Sequence, residues 1–128
     1  MKKYISILFI VFIIHISCTP TKSDKQLKIE HFQSEMKRIN DSSLYYFDKG
    51  IKLLEEGVHP NVISARINGK LTYYKTEINI RSRGFKTIAK KLNLSEKEYD
   101  KVFEELGEIF QSSREKFKYL TENGVKIN

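Results

Sequence analysis

Cysteine, histidine and paired carboxylates are the side chains from which most active sites are built, and this chain is poor in them. Its 128 residues hold one cysteine, Cys18, and three histidines. A lone thiol cannot form an internal disulfide, a CxxC redox pair or a thiolate-rich metal site. His15 lies in an apolar run near the start, while His31 and His59 stand 28 positions apart, so no HExxH spacing or imidazole pair is present. There is no glycine-rich phosphate loop, no Gly-x-Ser-x-Gly elbow and no Cys–His pairing. Glu30, His31 and Glu35 share one helix side but read as solvated surface, and no desolvated carboxylate pair is apparent. The expectation is no catalysis, no cofactor and no metal.

The residues before Cys18 read as an export signal that ends at a lipid-attachment cysteine. Lys2 and Lys3 precede a 13-residue run, Tyr4 to Ile16, without formal charge when His15 is neutral. As a helix it covers roughly 20 Å against a hydrocarbon core of roughly 30 Å, a poor permanent span and a good cleavable segment. Over residues 1–18 the chain resembles a bacterial lipoprotein signal peptide, whose box ends in a small residue and the modified cysteine. Here the box reads His15, Ile16, Ser17, Cys18. Ser17 and Cys18 match, His15 stands where leucine is usual, and Ile16 is permissible. The resemblance implies removal of residues 1–17 and a mature chain starting at a lipidated Cys18. Two or three acyl chains, palmitate among them, would then hold it stably to the inner or outer membrane of the cell envelope, outside the cytoplasm.

Residues 18–26, from Cys18 through the polar TPTKSDK stretch, read as a tether; 27–124 read as one domain and 125–128 as a tail. Within the domain the apolar spacing is helical throughout. Ile29, Phe32, Met36 and Ile39 form one series, and Leu44, Phe47, Ile51, Leu54 and Val58 the next. The five-residue step between them, at Asn40 to Ser43, either caps a new helix or marks a local break. Gly57, His59 and Pro60 end this segment and begin a second, whose stripe runs from Ile63 to Leu92 and is interrupted only at Arg81. Ser95 and Glu98 form a capping box that opens a third, with the stripe Tyr99, Phe103, Leu106, Phe110, Phe117 and Leu120 and a polar slot at Ser113. The fold class is therefore all-α, an antiparallel three-helix bundle, or four helices if the first is split at 40–43.

Reversing the chain near His59 sets Tyr45 and Tyr46 level with Tyr73 and Tyr74, and a second reversal near residue 94 brings Phe117 to that height. Tyr46, Tyr74 and Phe117 are thus a candidate ligand layer, although bundle core explains the same rings. The net charge of +7 becomes +5 without Lys2 and Lys3, and it is uneven. Arg66 to Lys91 carries eight basic residues against Glu77, whereas Ser95 to Glu108 carries six acidic residues against two lysines. These complementary faces are expected to pair. The seam residue Arg81 is expected to reach Glu104, Glu105 or Glu108, because an unpaired buried guanidinium is too costly.

Gly84 to Val102 resembles the helix-turn-helix of LuxR-type and sigma-factor-like domains, but its recognition segment, Ser95 to Leu106, has five acidic residues against two lysines and would repel phosphate. No nucleic acid is expected. The reading is a membrane-anchored envelope lipoprotein acting as a non-catalytic binding or adaptor module, with the membrane and an envelope protein as its partners. The alternatives are a small-ligand carrier built on the tyrosine layer and a periplasmic inhibitor or immunity-type protein.

Overall fold

The computed structural model describes residues 21–128; the segment read as a signal peptide and Cys18 lie outside the described residues. Four helices and no strand occur among them, an all-α bundle: α1 Asp24–Glu55, α2 Pro60–Lys91, α3 Glu96–Ile109 and α4 Gln111–Glu122. The count of four does not come from the step at 40–43. Helix α1 runs through it, because its buried face continues as Phe32, Met36, Ile39, Asn40, Ser43, Phe47 and Gly50, with polar residues filling two seam positions. The break comes instead at Phe110, which divides the expected third helix into α3 and α4.

The ends follow local chemistry. Ser23 caps α1 by accepting from the Gln26 amide at 3.2 Å, so the helix begins inside the segment read as tether. At the start of α2, Pro60 occupies the first turn and His59 Nδ1 accepts from the Asn61 amide. Helices α1, α2 and α4 each close on a left-handed residue, Gly57 (φ 80°), Asn93 (φ 51°) and Gly124 (φ 84°). The next amide in each case returns to a carbonyl five residues back: Val58 to Leu53, Leu94 to Ala89 and Val125 to Leu120. This Schellman geometry turns an apolar residue onto the core after each helix. It also draws in the tail, where Val125 is buried and the Lys126 and Asn128 amides donate to Ser64 Oγ and Asn68 Oδ1 of α2. Residues 125–128 are therefore part of the domain and not a free tail.

Two apolar clusters make the core. The first joins α1, α2 and α3 through Phe32, Met36, Phe85, Ala89, Val102 and Leu106, with Phe32 stacked on Phe85 at 4.1 Å. The second joins α1, α2, α4 and the C-terminal residues through Phe47, Ile63, Ile67, Leu71, Leu120 and Val125. Helix α1 is the centre of the bundle, since its backbone approaches all three others, whereas α2 meets α3 largely through the side chains of Phe85, Tyr99 and Phe103. Gly50 lets α1 close on its neighbours: a Cβ there would stand 2.8 Å from Ile67 Cδ1 and 3.2 Å from Leu120 Cδ1.

This arrangement redirects Arg81. It pairs with Glu77 one turn away on α2 and with Glu35 of α1, Nε to Oε2 3.7 Å, and not with Glu104, Glu105 or Glu108. The reason is that α2 packs chiefly on α1, so this seam position faces α1 carboxylates. Glu105 accepts instead from Gln33 Nε2 at 2.6 Å, and Glu104 and Glu108 are exposed. The basic and acidic faces do not pair either: no α2–α3 ion pair occurs among the described residues, and Glu98 of α3 goes to Lys25 of α1 at 2.6 Å.

Two outcomes test this packing. Gly50→Leu should lower stability by about 1–3 kcal/mol through overpacking against Ile67 and Leu120, read from urea midpoints. Glu98 is held at a pKa of about 2 against an ordinary 4.5, first by the Lys25 hydrogen bond and then by the Ser95 amide and hydroxyl. Its contribution should be intact above pH 4.5 and drain away as pH falls towards 2. Glu98→Gln, which keeps the cap but cannot ionise, should flatten that part of the acid-unfolding profile.

Candidate functional site

The two core clusters are separated by a polar node. Asn40 is 2% exposed, and its Nδ2 donates to the carbonyl of Ile109 at 3.1 Å while its Oδ1 accepts from Ser113 Oγ at 2.5 Å. Ser43 Oγ donates to the Asn40 carbonyl at 2.8 Å. In an unbroken helix the carbonyls of Gly107 and Ile109 would accept from the amides of Gln111 and Ser113. Here they accept from side chains, Arg114 Nη2 to Gly107 O at 2.7 Å and Asn40 Nδ2 to Ile109 O. A side chain inserted in the ladder is a recognised cause of a helix kink, and it accounts for the break at Phe110 without proline or glycine at that position. No buried side-chain N or O among the described residues lacks a partner.

Beside this node, α2 and α4 leave a groove of about 280 Å³ between them. Both helices pack on α1, and the slot between them is floored by Ser43, Phe47 and Ser113. Leu71, Tyr74 and Ile78 of α2 form one wall, and Phe110 and Phe117 the other. Ile127 and Asn128, held on α2 by the tail contacts, also line it. The floor hydroxyls are spent on the node, Ser43 on the Asn40 carbonyl and Ser113 on the Asn40 side chain. The interior is therefore predominantly apolar.

Charge enters only at the rim. Lys75 from α2 and Arg114 from α4 line the groove, both are exposed, and neither has a carboxylate partner among the described residues. Arg114 is steadied by its bond to Gly107 O. No Asp, Glu, His or Cys lines the groove. No three His, Cys, Asp or Glu side chains gather into a metal-holding group among the described residues.

The expected tyrosine layer is brought together only in part. Tyr45, Tyr46, Tyr74 and Tyr73 form a chain of rings with centroid separations of 5.1, 6.0 and 5.4 Å. Tyr74 and Phe117 face the groove, Phe117 being 41% exposed, but Tyr46 does not line it. One position before Phe47 lies about 100° round the helix, so Tyr46 packs behind Tyr74 instead of beside it. Sequence reasoning missed the remaining walls, notably Ile78, Lys75, Phe110 and Arg114. The two polar interruptions at 40–43 and Ser113 were the available signal, since facing polar slots in two apolar stripes are natural hydrogen-bonding partners.

If the node holds the kink, Asn40→Ala should cost about 1–3 kcal/mol by stranding the Ser113 hydroxyl and the Ile109 carbonyl. Adding Ser113→Ala should then cost less than its effect alone, with a coupling of about 0.5–3 kcal/mol in a double-mutant cycle. Strict additivity would separate the two residues. No family model, curated protein or solved structure matches this chain.

Proposed function

We propose that this chain is a lipid-anchored, non-catalytic binding module of the cell envelope that takes an apolar ligand in the groove between α2 and α4. The observation that carries the reading is an apolar slot of about 280 Å³, walled by Tyr74, Ile78, Phe110 and Phe117 beside a fully hydrogen-bonded polar node. Its volume is near the lower end of small-molecule sites, which suits a single chain or ring better than a folded partner. No lining side chain of the groove is a carboxylate, imidazole or thiol, which supports binding over acid–base catalysis there.

The anchor rests on residues 1–18, where Lys2, Lys3, the apolar run and Ser17-Cys18 form the pattern of a lipoprotein signal. No helix among the described residues is long and apolar enough to cross a membrane. A protein adaptor is the second reading. It draws on the solvent-exposed cations of α2, among them Arg66, Lys70, Arg83, Lys86 and Lys90, which have no ion-pair partner among the described residues.

Cys18→Ala expressed in the producing cell should abolish labelling by an alkyne-tagged fatty acid and move the protein out of the membrane fraction. Undiminished labelling would remove the anchor from the proposal. Phe117→Ala, at an exposed wall position, should weaken binding of 1-octanol severalfold with little change in melting temperature, as read from methyl shifts of Leu71 and Ile78.

A further inference from the structure

The geometry points to a specific ligand chemistry: an amphipathic anion, such as a medium-chain carboxylate, with its chain in the groove and its negative head between Lys75 and Arg114. This inference rests on the groove being the binding element, and it adds the charge and orientation of what enters.

Three observations carry it. The groove interior is predominantly apolar, with Phe47 on its floor and Leu71, Ile78, Phe110 and Phe117 on its walls. The floor hydroxyls, Ser43 and Ser113, already donate within the node, so the floor offers no free hydroxyl to a charged head, and Tyr74, Asn79 and Asn128 are the other polar residues of the lining. The only formal charges among the lining side chains are two cations, contributed by opposite walls, and neither is neutralised by a carboxylate among the described residues. An alkyl cation would meet two like charges at the rim, and a neutral chain would leave them unused. A carboxylate gains charge-assisted hydrogen bonds from both.

The position of Arg114 strengthens the argument. Its Nη2 donates to Gly107 O at 2.7 Å, which holds the guanidinium at the kink while leaving its other N–H groups available. A donor fixed in advance costs less side-chain entropy on binding than a free one. The kink that opens the slot therefore also holds one of its two cations. Lys75, on the facing helix, supplies the second charge.

The test uses the full chain, methyl-labelled, in zwitterionic nanodiscs, titrated with octanoate, 1-octanol and octyltrimethylammonium at low salt while the Leu71 and Ile78 methyls are followed. Octanoate should bind at least about fivefold more tightly than 1-octanol, the range two partly exposed ion pairs supply. The preference should vanish in Lys75→Gln/Arg114→Gln. Because Arg114 also bonds to Gly107 O at the kink, Lys75→Glu is the independent variant, and it should abolish the octanoate preference with the melting temperature unchanged. Equal binding of octanoate and 1-octanol to the wild type would overturn the anionic head and leave the groove reading standing. No methyl response to any of the three would overturn both. So would sedimentation showing a dimer that Phe117→Ala dissolves, since a second copy would then be the occupant.

Discussion

A single buried amide, that of Asn40, holds the bundle in its observed shape. Placed in the middle of the central helix, it spends its donor on the Ile109 carbonyl and its acceptor on the Ser113 hydroxyl, both across the helix interface. An unpaired polar group at this depth would be costly, so the node forces α3 and α4 into one alignment over α1. It also explains why the core is two clusters and not one. Apolar packing stops on either side of Asn40, Ser43 and Ser113.

The groove follows from the same constraint. Helix α1 is the common partner, and Gly50 lets it approach α2 and α4 closely at one end. With α4 turned at Phe110, its Phe117 stands at the edge of the slot and does not fill the core. The C-terminal residues, pinned to α2 through Ser64 and Asn68, supply further lining. Stability and the opening of a site are thus set by one bend, and Arg114 links that bend to the charge at the rim.

Charge distribution has less to do with the fold than its unevenness suggests. The cations of α2 other than Arg81 stay in water, and the α3 carboxylates that find partners across the bundle turn to α1 through Lys25 and Gln33. Exposed ion pairs contribute only about 0–1 kcal/mol each, too little to override the packing of apolar faces. Arg81 is the exception because it is half-buried, and it takes the carboxylates nearest its own seam, Glu77 and Glu35.

Much of this protein is local and was legible in its residues. Helical spacing, the Ser95–Glu98 box, Gly57 and Gly124 act within about one helical turn, so pattern alone placed most helix ends and named an all-α bundle. The same inventory of side chains set the expectation of no catalysis, and it set out the Cys18 pattern from which anchoring is proposed. Tertiary structure decided which polar slot meets which, why α1 stays whole while the third segment breaks at Phe110, where Arg81 finds its anions, and that Tyr46 stands outside the groove. Those outcomes depend on the azimuth of each side chain and on the distance between helix backbones. Both are set by three helices packing on α1 together, a condition that no stretch of sequence carries by itself.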